Sequence, residues 1–188
     1  MDQLKNHISS CSLCSEFLPL GSNPIFKFDK ESSILLISQA PGRLAHNSCK
    51  AWDDPSGKRL KEWLGISNYD FYENNHFAIL PMAFCYPGKA KTGDLAPSPL
   101  CAPKWHKQIL DNINPNATRI LIGKYAQDYY LMDNKTLTIR VQNFENYLPK
   151  YFPIPHPSPL NNIWLKKNPW YGKNVLPVLQ DIVKLKLL

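Results

Sequence analysis

No run of about 18 apolar residues, the length needed to cross a bilayer, occurs in the 188-residue sequence. The opening stretch MDQLKNHISSCSLC lacks the charged, apolar and small-residue zones of a secretory signal. Both absences argue against membrane-spanning and exported classes, so a soluble, cytoplasmic protein is expected. Internal repeats, low-complexity tracts and interdomain linkers are missing as well. With 44% hydrophobic residues, the chain can bury one substantial core, and a single domain over residues 1–188 is expected. Acidic residues are scarce: 15 Asp and Glu stand against 22 Lys and Arg, a formal net charge of +7. A surplus of that sign favours a polyanionic partner, nucleic acid first, although a basic surface kept for solubility is the plainer alternative.

What the chain does have is 17 prolines and five tryptophans. Proline-fixed loops carrying aromatic rings can pre-shape a pocket or a stacking platform without regular structure. Four short apolar stretches read as strands followed by loops: SSILLISQAPG, HFAILPMAFC, RILIGK and YFPIPHP. Helical patterns lie between them in SGKRLKEWLGI, APKWHKQILDNI and KYAQDYYLM. A last helix after Pro169 carries Val175, Leu179, Ile182 and Val183 at helical spacing. Strands alternating with helices predict a mostly parallel sheet covered on both faces. Ligands of such sheets bind at the carboxyl ends of the strands. The loops QAPGRLAHNSCKAWDDPSG and HPSPLNNIW both follow strands directly, so they are expected to share one cleft.

Five cysteines in a reducing compartment do not make a disulfide framework. Cys11 and Cys14 form a C-x-x-C pair, while Cys85 and Cys101 enclose a Pro- and Gly-rich stretch that can curl both thiolates around one centre. Four sulfur ligands suit tetrahedral zinc or a four-iron cluster, and unligated thiols are the remaining reading. The wide second pair fits the larger cluster better than zinc. Cys49 has no partner at such spacing and reads as an ordinary loop thiol.

Taken together, SQAPG after the first strand, AWDDPSGKRL at the first core helix, the four cysteines and HPSP after the last strand resemble the uracil-DNA glycosylase superfamily. They most resemble its iron-sulfur branch, usually called family four, and the divergent relatives of that branch. The resemblance covers nearly the whole chain in the family's order. It implies a three-layer α/β/α sandwich around a central four-stranded, mostly parallel sheet. It also implies a structural [4Fe-4S] cluster on Cys11, Cys14, Cys85 and Cys101, and cleavage of the N-glycosidic bond of a nucleotide flipped out of DNA; a monofunctional enzyme acting as a monomer is expected.

The same resemblance implies roles for particular residues. His156, fenced by Pro155 and Pro157, would face the carbonyl oxygen of a pyrimidine and stabilise the charge that develops on the departing base. Leu160 would enter the duplex where the base has left. Ser158 and nearby amides would meet phosphate, and Asn161 and Asn162 would contact base edges or phosphates unless they simply form the turn. Gln39, Ala40 and Gly42 would line the base pocket, with Gly42 permitting close backbone approach. Trp52 would stack on the base, a contact worth on the order of 1–3 kcal/mol. Arg43, His46, Lys89, Lys91, Lys166 and Lys167 are loop cations placed for DNA, whereas Lys58, Arg59 and Lys61 read as a solvated helix face.

Two departures from the family pattern bear on mechanism and substrate. Family-four enzymes carry a Glu where Gln39 stands, and a neutral amide is no general base; Asp54 is the carboxylate chosen to assist water, with Asp53 beside it and His46 in reserve. The alternative role for Asp54 is to cap the helix that follows. Where those enzymes read uracil with an Asn amide, this chain has Pro81, which offers no side-chain donor or acceptor. The expected substrate is therefore a modified pyrimidine; the resemblance to relatives that remove bulky modified pyrimidines from phage DNA extends this to modified cytosine, in repair or anti-phage defence. Competing expectations are an ordinary uracil-DNA glycosylase, a catalytically inactive DNA-binding module and a purely structural iron-sulfur protein.

Overall fold

The computed structural model describes residues 1–187. In chain order the elements are α1 (Asp2–Ser9), β1 (Ile34–Ile37), α2 (Arg43–Ser48), α3 (Pro55–Leu64), α4 (Asn68–Tyr72), β2 (Phe77–Ile79), α5 (Cys101–Leu110), β3 (Thr118–Ile122), α6 (Lys124–Leu131), α7 (Leu137–Gln142), β4 (Tyr151–Ile154), α8 (Asn162–Lys167) and α9 (Leu176–Leu187). The four strands pair in the order β2-β1-β3-β4, every pair parallel. Three lie inside the apolar stretches that predict them, and β3 begins one residue before RILIGK.

Alternation along β1 divides the core into two layers. Ile34 and Leu36 face a cluster with Leu60, Trp63 and Leu64 of α3 and Leu179 and Val183 of α9. Leu35 and Ile37 face the other side, against Ile8 of α1, Trp105 and Ile109 of α5 and Ala126 of α6. Both sheet faces are thus buried under helices, the arrangement that continuous apolar strands require. This is the three-layer α/β/α sandwich. Among the described residues, no helix is long and apolar enough to cross a membrane.

The chain leaving β1 runs to α3 on one face, whereas the chain leaving β3 runs to α6 on the other. The two connections diverge at neighbouring strands, which opens a crevice at their carboxyl ends. The C-terminal helix differs from expectation in its first turn: Tyr171–Val175 is wound as a wide π turn before α9 begins. The loop after β1 also contains the short helix α2, and α1, α4, α7 and α8 have no counterpart in the predicted pattern. Apart from α1 these are of five or six residues, too short to show a full apolar repeat.

Candidate active site

The crevice holds a cavity of about 380 Å³ lined chiefly by four parts of the chain: the segment that runs from β1 into α3, the loop after β4, a stretch between β2 and α5, and the start of α6. Gln39, Ala40, Gly42, Trp52, Asp54, Pro81, His156, Ser158, Leu160 and Asn161 all line it, so the two unusual loops do share one cleft. Thr92, Gly93, Asp94 and Tyr125 line it too, although no local motif marks them.

His156 is held from three sides. Its Nδ1 accepts a hydrogen bond from the Ser158 amide (3.2 Å), and its carbonyl accepts one from Asn161 Nδ2 (2.7 Å). Gly123, at the carboxyl end of β3, packs against its Cβ. Burial pulls the imidazole down to about 4, opposed in part by the Asp54 carboxylate. The ring is therefore neutral near pH 7, and with Nδ1 occupied as an acceptor its proton resides on Nε2. A neutral N–H donor results, pre-positioned in a water-poor wall. The Trp52 ring lies beside it, with centroids 5.6 Å apart and planes tilted by 32°.

Trp52 adopts a left-handed backbone (φ 60°), unusual for so large a residue. Gly57 allows this conformation, because a Cβ there would overlap the Trp52 carbonyl. Two residues on from Trp52, Asp54 caps α3: its Oδ1 accepts from the Gly57 amide at 2.7 Å. The helix-capping and cavity-facing readings of Asp54 are thus compatible, since one carboxylate has two oxygens. Gly42 has extended backbone, and a Cβ there would meet only Asp94 Oδ2 at 3.6 Å. Protein packing alone does not demand glycine at that position.

Several surface residues sit differently from expectation. Arg59 is not part of a solvated face: Nη1 reaches the carbonyls of Pro157 and Ser158 (both 3.3 Å) and Asn162 Oδ1 (2.9 Å), tying α3 to the loop after β4. Lys61 lies over the rings of Phe71 and Tyr72, and only Lys58 of the three is exposed. The Ser158 amide is spent on His156 and its Oγ accepts from Leu160 N (3.2 Å), so this residue shapes the loop rather than offering a free amide to phosphate. Asn161 and Asn162 likewise bond within the protein. His46 does not line the cavity; its ring is directed towards Tyr86, 6.2 Å away. Leu160 stands exposed at the rim (69%), and Arg43, Lys89, Lys91, Lys166 and Lys167 are exposed.

Beneath the floor, the buried His106 donates from Nε2 to the Pro81 carbonyl (3.0 Å), while its Nδ1 accepts from Tyr130 Oη (2.7 Å). Burial brings this ring down to about 4 as well. Away from the cavity, Cys11, Cys14, Cys85 and Cys101 line a single small pocket with Leu13, Phe84 and Trp105. The Phe84 amide donates to Cys101 Sγ (3.4 Å), and Cys14 Sγ lies 3.2 Å from Ser98 Oγ. Apolar walls with an N–H donor and a hydroxyl at the sulfurs suit a thiolate-bound cluster.

The parallel α/β sandwich thus carries at its strand ends a cleft that brings together an aromatic ring, a neutral imidazole and a carboxylate. The family model for the uracil DNA glycosylase superfamily matches residues 26–180, and the chain belongs to that superfamily, whose members are DNA glycosylases. Cys85 and Cys101 fall within the matched span, and Cys11 and Cys14 precede it.

Proposed function

We propose that this chain is a monofunctional DNA glycosylase that hydrolyses the N-glycosidic bond of a flipped-out, modified pyrimidine, acting as a cytoplasmic monomer. The observation that carries the reading is the neutral His156, whose Nδ1 is engaged by the Ser158 amide, leaving Nε2–H as donor beside the Trp52 ring. As the bond from the sugar to the base nitrogen breaks, negative charge moves onto the base carbonyl. A donor already oriented there stabilises it without reorganisation. Water adds to the anomeric carbon and gives its proton to Asp54, whose position is fixed by the Gly57 amide. Trp52 stacks on the base, and the exposed Leu160 fills the gap in the duplex. Arg43, Lys166 and Lys167 supply charge for the backbone.

Pro81 supports a modified base over plain uracil, because the side chain at that place in the cavity wall has no donor or acceptor to pair with the uracil edge. Bulky modified cytosines such as those of phage DNA fit this reading, with antiviral defence or repair as its setting. The four cysteine thiols support a [4Fe-4S] cluster of structural role. When bound, such a group would cross-link the N-terminal segment to the chain on either side of the 86–100 stretch.

The test is abasic-site formation on oligonucleotides carrying uracil, hypoxanthine, hydroxymethylated cytosine or glucosylated cytosine, with His156→Ala as control. Release of a modified cytosine, reduced at least ~100-fold in the variant, is expected. Release of uracil alone would remove the substrate claim. Tight DNA binding without release of any base would point to a binding module.

A further inference from the structure

Asp94 is the carboxylate of the cavity that the proposed chemistry leaves without a role. It sits on a hairpin between Cys85 and Cys101, closed by Ala90 N to Gly93 O (3.1 Å) and Leu95 N to Gly88 O (2.9 Å), with Lys89 and Asp94 paired across it. The hairpin tip reaches the rim: a Cβ on Gly93 would stand 3.7 Å from Leu160 Cδ1. Gln39 ties its far strand to the loop after β1 through Nε2 and the Leu95 carbonyl (3.5 Å). Asp94 is therefore part of the cavity wall, half-buried, with Oδ2 facing Gly42. Among the described residues it makes no ion pair. Its neighbour is the buried Tyr86 phenol, which burial raises first and the Asp94 carboxylate raises further. His156 lies beside Trp52 and feels the Asp54 carboxylate, with Asp94 not among its influences.

A carboxylate accepts hydrogen bonds and donates none. A ring presenting a 4-oxo group towards it would set two acceptors against each other in a partly desolvated space. A 4-amino group would supply a donor to the carboxylate lone pairs that the Tyr86 hydroxyl leaves free. Leaving a buried partner unpaired separates such ligands more strongly than shape does. We propose that Asp94 is a specificity-determining residue that selects 4-aminopyrimidines, the cytosine class, over 4-oxopyrimidines, the uracil and thymine class. The inference rests on the base-pocket reading above and assigns its substrate class to a residue outside the family-like motifs.

The experiment uses single-stranded oligonucleotides carrying 5-hydroxymethylcytosine or 5-hydroxymethyluracil, which share the 5-substituent and differ at the 4-position. Equilibrium binding and single-turnover base release are measured for the unaltered protein, Asp94→Asn and, as a hairpin control, Ala90→Ser. The unaltered protein and the control should favour the amino base by about tenfold or more, as expected for one charge-assisted hydrogen bond. Asp94→Asn keeps the shape but can donate, so the preference should fall to within about threefold or invert. A preference unchanged in Asp94→Asn overturns the proposal, as does an equal loss on both bases or the absence of any preference in the unaltered protein. If no base is released but the binding preference is present and depends on Asp94, the glycosylase reading fails while this inference stands.

Discussion

A histidine whose Nδ1 already accepts a backbone N–H can donate only through Nε2, and it keeps that arrangement only while neutral. Protonation of His156 would place a second proton on Nδ1, facing the Ser158 amide, and break the bond that orders the loop. Burial moves the folded-state value down to about 4 from an ordinary 6.5. The sign follows: the unfolded chain binds the proton first, so the stability tied to this ring is complete above about pH 6.5 and is lost as pH falls towards 4. His106 acts in the same direction over the same window. In an NMR titration, His156 and His106 should remain neutral at pH 5.5. Since the Asp54 charge opposes the shift, Asp54→Asn should lower the His156 midpoint further. The same variant separates two roles, because Asn caps helices about as well as Asp. Melting temperature should be unchanged within error while base release falls by ~100-fold; full activity would assign Asp54 to capping alone.

Elements made of sheet and long helix were legible in the sequence, and short or non-local ones were not. The strands announce themselves as apolar runs ending at Pro, Gly or His, and α3 by its Asp54 cap and Leu60, Trp63 and Leu64 stripe. The hairpin carrying Asp94 is polar, held by one bridge and two glycine turns, so nothing periodic marks it. Its place at the cavity depends on contacts with Gly42 and Leu160, about 50 and 65 residues away in sequence. Arg59 was misread for a similar reason: on a helix it looks like one of a basic cluster, and only the fold brings the 157–162 loop beneath it. Its three hydrogen bonds connect two elements that both line the site, which gives α3 a direct hold on the loop after β4. Arg59→Ala should cost about 1–3 kcal/mol of stability, raise hydrogen exchange over residues 158–165 and weaken base release while the sheet stays protected. Exchange that is unchanged in that segment would show the loop holds itself.

At the scale of the whole molecule, the cysteine pocket and the base cavity are joined by the chain between Cys85 and Cys101. That span contains the Asp94 hairpin, so whatever fixes its two ends limits how far the hairpin can swing from Gly42 and Leu160. Closing the ends of a segment lowers the entropy of its open states, and a cluster held by both cysteines would do this covalently. In the proposed cluster, Cys14 would be a ligand that can be removed without altering the 85–101 span; it is half-buried and precedes the residues matched by the family. Protein purified without oxygen should contain about four iron atoms and absorb visible light through thiolate-to-iron charge transfer. Cys14→Ser should lose iron, and amide exchange over residues 86–100 should rise. The preference set by the hairpin should weaken, yet the His156 titration, which depends on β3, β4 and burial, should keep its midpoint near 4. Loss of that midpoint together with the hairpin would mean the cluster stabilises the entire fold. Zinc in place of iron, with the hairpin still protected, would show that the cross-link matters here more than the metal that makes it.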